Sequence, residues 1–187
     1  MLFNQHENWI TEHEHTDILK SVVLADRWSF GQTSDSKQYT ENYPMWTQGF
    51  FNHKTQQFNE STPEIIKIIS LRFISQCPDD YVLVRSMACA NTFGLDGDYH
   101  KDWPSWGKSQ TGVLYTDKTW ERNWGGDTVF VGEDCLYSSE YEPRKLVTFD
   151  SSIEHIGKGP QRRCPGMRSI IAMQAVKREY IEKFIAK

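Results

Sequence analysis

The segment Met167–Val176 constrains the fold more than any other part of the chain. Alternate residues of a strand project to the same side. One face therefore presents Arg168, Ile170, Ala172 and Gln174, and the other Ser169, Ile171, Met173 and Ala175. Both faces are largely apolar, which places the strand inside a sheet covered on both sides. Such a sheet needs one layer above it and another below. A chain of 187 residues can bury that core as a single domain spanning 1–187.

The rest of the chain supplies the layers in order. Residues 8–25 read as a helix with Trp9, Ile10, Leu19 and Val22–Val23 to bury, and 27–32 as a strand. Residues 35–47 are polar and contain Pro44, so they read as a long loop. A second helix opens at Thr62–Pro63, with Thr62 suited to the N-cap and Pro63 to the first helical position. Ile65, Ile66, Ile68, Ile69, Phe73 and Ile74 give it an apolar face until Pro78. Strand candidates follow at 81–93, 111–116, 127–131, 145–149 and 167–176, separated by Gly, Pro and Asn clusters. Residues 177–187 look helical. Helices first and short strands afterwards predict a mainly β fold with flanking helices: N-terminal helical support over about 1–80, a sandwich or barrel core over about 81–176, then a C-terminal helix.

Composition narrows the function classes. A net charge of −4 gives no footprint for bulk nucleic-acid binding. Cys77, Cys89, Cys135 and Cys164 are scattered and suggest neither a zinc ribbon nor a disulfide framework. No apolar run approaches the roughly 20 residues needed to span a bilayer. The first residues lack a basic region followed by an apolar one, so no secretory signal is expected. A reduced, cytoplasmic protein is the default expectation.

Against this background, His100-Lys101-Asp102 carries chemistry. In an extended strand the two outer side chains share a side and can grip one ion. With His155 from a neighbouring strand they make two imidazoles and one carboxylate, the facial arrangement of non-haem Fe(II) oxygenases. The same set also suits zinc with a bound water. The H-x-D pattern is short, so its surroundings decide. Arg168 opens the doubly covered strand and needs a fixed anionic partner, either a structural Asp or Glu or the carboxylate of a ligand. His6, His13 and His15 are discounted, because His13 and His15 would lie on different faces of a helix and belong to a solvated surface. Asp96-x-Asp98 lacks the rest of a calcium loop.

Taken in order, His100-x-Asp102, Trp124-Gly125-Gly126-Asp127-Thr128-Val129-Phe130, Glu142-Pro143, Leu146–Asp150, His155 and Arg168-Ser169-Ile170 resemble the 2-oxoglutarate- and Fe(II)-dependent oxygenases. The likeness is to the prolyl-4-hydroxylase-like branch, and Asn91–Gly97 is similar to small microbial and viral members. It covers roughly residues 81–176. The resemblance implies a double-stranded β-helix (jelly-roll or cupin-like) core that brings His155 beside His100 and Asp102. It implies these three as catalytic iron ligands and Arg168 as the partner of the distal carboxylate of 2-oxoglutarate. Arg163 falls nearer the family's usual spacing and is the competing anchor. Tyr115 is either a further cosubstrate contact or a core tyrosine, and Asn91 and Thr111 are weaker candidates of the same kind. Trp103, Trp106, Trp120 and Trp124 flank the metal region as pocket walls or packing, and residues 94–107 read as a lid.

The implied cofactors are Fe(II), 2-oxoglutarate and O2, with ascorbate as a supporting reductant. The implied reaction is hydroxylation of a C–H bond, with succinate and CO2 released, on a small-molecule or peptide substrate. A prolyl or other amino-acid residue is the nearest analogy. Because Asp102 retains the carboxylate that halogenating relatives lack, hydroxylation is favoured over halogenation. A zinc-dependent hydrolase and a non-catalytic ligand-binding β-barrel are the alternatives.

Overall fold

A computed structural model of the protein describes residues 2–32, 44–102 and 108–182. The elements run β1 (Phe3–His6), α1 (Glu12–Ile18), β2 (Ser29–Gln32), β3 (Met45–Gly49), β4 (Phe51–Asn52), β5 (Gln57–Phe58) and α2 (Glu64–Ser75). They continue with β6 (Tyr81–Asn91), β7 (Ser109–Tyr115), β8 (Thr128–Val131), β9 (Leu136–Ser139), β10 (Leu146–Asp150), β11 (His155–Gly157) and β12 (Arg168–Lys177). Seven strands form an antiparallel sheet in the order β1-β10-β7-β12-β6-β3-β2. A second sheet has the order β11-β8-β9, and β4 pairs with β5.

Strand β12 lies at the centre of the large sheet, between β7 and β6. Its two faces meet two different cores. Ile171, Met173 and Ala175 pack with Leu114, Leu146 and the α2 residues Ile66, Ile69 and Phe73. Ile170 faces the other way, with Val113, Tyr115, Val147 and Phe149, onto Phe130 of the smaller sheet. The doubly covered strand read from the sequence is thus a strand between a helical layer and a second sheet. Packing on the helical side is tight at Gly112, where an added Cβ would lie 2.7 Å from the Phe73 ring.

Several boundaries differ from the sequence reading, each for a local reason. Helix α1 begins at Glu12 rather than at residue 8, because Thr11 forms a capping box with Glu14. The following turn, Leu19–Val23, is a π-helix. Glu14 also pairs with Arg72 of α2. That contact holds its carboxyl at about 2, below the usual carboxylate range, and ties the two helices together. Thr62 is not the N-cap of α2; its hydroxyl donates to the Phe50 carbonyl at 2.8 Å, and Pro63 stands at the cap. Residues 45–47, read as loop, belong to β3, because the exposed edge of β6 offers backbone partners to Trp46 and Thr47. The remainder of that loop, 35–43, lies outside the described residues.

The N-terminal portion is also less helical than expected. Strand β1 pairs with β10 and stacks Phe3 on Phe130 at 4.3 Å, while β2 and β3 extend the far side of the sheet. Beyond β12 the chain makes a 3-10 turn at Arg178–Tyr180, and 183–187 lie outside the described residues. We expect Gly112→Ala to force Phe73 off its seat and destabilise the protein by about 1–3 kcal/mol. A fall in the denaturant midpoint at unchanged slope checks this; an unchanged midpoint contradicts it.

Candidate metal centre

His155 begins β11, a three-residue strand paired with β8. On its other side it meets His100 in an isolated antiparallel bridge. The His100 amide donates to the His155 carbonyl at 2.9 Å, and the His155 amide returns the bond at 2.9 Å. This backbone exchange brings two rings from distant parts of the chain to a centroid separation of 4.4 Å. Asp102 lies in a bend rather than on the expected extended strand. Tertiary contacts aim it instead: Thr111 Oγ1 donates to its Oδ2 at 2.7 Å, and Gln174 Nε2 donates to its main-chain carbonyl at 3.0 Å. Asp102 Oδ1 stands 3.5 Å from His100 Nε2, and Oδ2 stands 3.7 Å from His155 Nε2.

Ligand atoms of His100, Asp102 and His155 all lie within 4.8 Å of one another. The outer nitrogens fit metal binding equally well. His100 Nδ1 lies 2.7 Å from the Asp98 carbonyl, and His155 Nδ1 lies 2.9 Å from the Ile153 carbonyl. A carbonyl can only accept, so both Nδ1 atoms carry the proton and both Nε2 lone pairs face Asp102. Two imidazoles and a carboxylate suit a divalent transition metal such as iron or zinc.

These ligands edge a cavity of about 760 Å³, counting its open mouth. Asn91 and Arg168, paired across β6 and β12, stand at one end. Arg168 is 1% exposed and yet forms no ion pair with a carboxylate among the described residues. Its Nε donates to the Gly126 carbonyl at 2.5 Å and its Nη2 to Thr128 Oγ1 at 3.1 Å. The rings of Tyr115 and Tyr141 lie 5.8 and 5.6 Å from the guanidinium carbon. Arg163, the competing anchor, sits exposed in a turn and does not line the cavity.

Tyr115 backs the site rather than opening into it. Its hydroxyl lies 2.9 Å from Thr128 Oγ1, and burial pushes its pKa up. Thr128, missed in the sequence, accepts from Arg168, meets the Tyr115 hydroxyl (itself 3.3 Å from the Ser139 carbonyl) and lines the cavity. Arg85 was missed as well; it lines the same cavity from the inner face of β6. Cys89 also lines it, but burial raises its thiol to about 12, which leaves it protonated.

Other candidates fall elsewhere. Trp120 and Trp124 pack edge to face, and Trp120 Nε1 donates to the Gly125 carbonyl, away from the cavity. Trp103 and Trp106, with the rest of residues 103–107 of the lid segment, lie outside the described residues. His13 is exposed as expected, but His15 is not. It is 7% exposed, and its Nε2 reaches the carbonyls of Thr116 and Asp117 at 3.0 and 3.1 Å, because α1 lays that face over the end of β7.

The two imidazoles differ electrostatically. Burial alone would lower His100, but the hydrogen bond and charge of Asp102 outweigh it and leave its pKa raised. Burial dominates at His155, whose pKa is lowered. A metal needs both Nε2 atoms free of protons. Affinity for Mn(II) or Zn(II) should therefore fall as pH drops, beginning above the ordinary imidazole value of about 6.5, where His100 takes up its proton. Binding isotherms between about pH 5.5 and 8 check this, and a flat profile contradicts it.

No family model matches the chain, and no curated protein matches it in sequence. Solved structures do match in three dimensions. A prolyl hydroxylase from Trichoplax adhaerens, solved with a hypoxia inducible factor oxygen degradation domain peptide, superposes with a TM-score of 0.73 at 20% identity over 98% of this chain and 86% of that one. An oxidoreductase of the 2OG-Fe(II) oxygenase family from Burkholderia pseudomallei gives 0.72 at 11% identity over 94% and 85%. The viral collagen prolyl hydroxylase of Paramecium Bursaria Chlorella virus-1, as its 2OG complex, gives 0.62 at 11% identity over 94% and 96%. The chain has the double-stranded β-helix fold of these oxygenases.

Proposed function

We propose that residues 1–187 form one 2-oxoglutarate- and Fe(II)-dependent oxygenase domain, which hydroxylates a substrate C–H bond. One juxtaposition carries the reading: a His-Asp-His cluster opens onto a cavity containing a buried arginine that forms no ion pair with a carboxylate among the described residues. A buried guanidinium left without an anion is costly. A dicarboxylate that reaches the metal with one end would supply that anion with the other. His100, Asp102 and His155 would hold the iron on one face and leave the opposite positions open. When bound, iron and 2-oxoglutarate supply O2 activation, with succinate and CO2 as products.

The chain's own residues do the rest. Arg168 pairs with the distal carboxylate, and Thr128 accepts from Arg168. Tyr115 holds Thr128 in place, while Asn91 lines the adjoining wall. Ile170, Val113 and Met87 keep the cavity wall apolar and limit water. The structural neighbours include prolyl hydroxylases, which supports a prolyl or other amino-acid residue as acceptor. A zinc hydrolase would use the same three ligands but gives Arg168 no task. No helix among the described residues is long and apolar enough to cross a membrane.

Anaerobic addition of Fe(II) and 2-oxoglutarate should give the visible charge-transfer band of an iron-bound 2-oxo acid; a featureless spectrum contradicts the assignment. The band should vanish in His155→Ala. Aerobic turnover with ascorbate present should release succinate. Replacing Arg168 by Gln should raise the 2-oxoglutarate dissociation constant about 30-fold or more while sparing metal binding, as expected when one partner of a buried charge pair is removed. Arg163→Ala should change neither. Titrations of both variants decide between the two arginines.

A further inference from the structure

Two arginines line the cavity, and the oxygenase reading employs one. On the inner faces of β6 and β12 the pairs run Asn91–Arg168, Cys89–Ile170, Met87–Ala172 and Arg85–Gln174. Arg85 is therefore three pairs from Arg168, roughly 20 Å along the strand. It occupies the row that carries the metal centre: Gln174 lies opposite Thr111 as well as Arg85, and both Gln174 and Thr111 bond to Asp102. Two strand spacings, roughly 10 Å of backbone, separate Arg85 from Thr111. A long side chain spans much of that gap.

The backbone holds Arg85 on this face by a register shift. The ladder slips between Gln174 and Ala175, so that Arg85 opposes Gln174 while Leu83 opposes Ala175. Val84 is the extra residue. Continuous alternation would put Leu83 on the cavity side beside Arg85. With the bulge, Leu83 joins the core beneath the helices instead. The bulge ends the apolar patterning at the mouth and leaves Arg85 there alone.

Arg85 is exposed within a strand whose following residues, Ser86 to Asn91, are all buried. It makes no hydrogen bond or ion pair among the described residues. Its nearest neighbours in the cavity wall, Met45, Met87 and Ala172, are apolar, and the carboxylate it acts on across the cavity is that of the candidate ligand Asp102, without forming an ion pair with it. Across the ladder, the Oε1 of Gln174 is buried without a hydrogen-bond partner among the described residues. Among the described residues the guanidinium fork thus has no hydrogen-bonded partner and faces the metal row, and it suits a planar or tetrahedral oxyanion better than a neutral group.

We propose that Arg85 is the specificity-determining contact of this site: it pairs with a carboxylate or phosphate carried by the primary substrate. The substrate is then an anionic small molecule, or a residue bearing an anion, whose reacting carbon lies between Arg85 and the His100–His155 pair. This rests on the oxygenase reading and narrows it from any C–H-bearing substrate to an anionic one.

Paramagnetic line broadening tests the proposal without turnover. The protein is loaded with Mn(II) in place of iron and saturated with 2-oxoglutarate, and metal binding is read separately by electron paramagnetic resonance. Two probe panels are added: N-acetyl amino acids against their methylamides, and nucleoside 5′-monophosphates against the nucleosides. Members of one charged panel should broaden at concentrations about 10-fold or more below their neutral mates, as expected for charge-assisted hydrogen bonds. The panel that responds separates carboxylate from phosphate. Arg85→Gln should erase the preference, and Arg85→Lys should keep part of it, because the charge remains while the fork is lost. Equal broadening by neutral mates, a preference that survives Arg85→Gln, or no charged probe broadened in the metal-loaded wild type overturns the role of Arg85. Failure to bind Mn(II) overturns the metal reading, and this inference with it.

Discussion

The paired amide-to-carbonyl bonds between His100 and His155 are the contact on which the site depends. The site draws its ligands from two separate segments, His100 and Asp102 from one and His155 from another. Ligands from separate segments need something to hold the segments in register. Here two hydrogen bonds do so at the ligating residues themselves. Any shift of β11 relative to the His100 segment would move both imidazoles together with their backbones. The outer nitrogens, each engaged by a carbonyl two residues earlier, then fix the rotation of the rings.

That bridge needs a rigid frame, and β12 supplies it. Its helical side is packed by aliphatic residues and Phe73, while its inner side carries Arg168, Ile170, Ala172 and Gln174 toward the site. The division explains how a buried arginine is tolerated. The Gly126 carbonyl and the Thr128 hydroxyl satisfy part of the guanidinium, two tyrosine rings flank it, and the remaining valence faces the cavity. Glycines make this packing feasible at one point: Gly126 has a φ of 85°, and an added Cβ would meet Trp120 at 2.8 Å. Asp117 and Tyr141 brace the same end of β12 through Ser169, whose amide and hydroxyl donate to Asp117 at 2.9 and 2.7 Å.

Much of this was legible from residue order, and the exceptions share a cause. The two faces of Met167–Val176 and the apolar face of α2 follow from local patterning, whereas the link between His100, Asp102, His155 and Arg168 is what the family resemblance implies. Residues 45–47 and the short strand β1 did not, because their strand character comes from pairing with β6 and β10 rather than from their own alternation. His15 was misread for the same reason: helix position alone cannot tell which side another segment will cover. Thr128 stood in a familiar segment without a role of its own, and Arg85 carried no motif. They matter through what stands next to them across the ladder, which only the register reveals.

By itself the sequence determined the doubly covered strand, the chemistry of the candidate ligands and the need of Arg168 for an anion, since these depend on side-chain type and spacing along one segment. Tertiary structure alone decided that Asp102 leaves the strand geometry and is aimed by Thr111 and Gln174. It also decided between Arg168 and Arg163 as the arginine that reaches the cavity, and it placed Arg85 in the row of the metal centre. The reason is physical: spacing sets the direction of a side chain within its own element, whereas the distance between elements is set by packing and hydrogen-bond register, which no single segment contains.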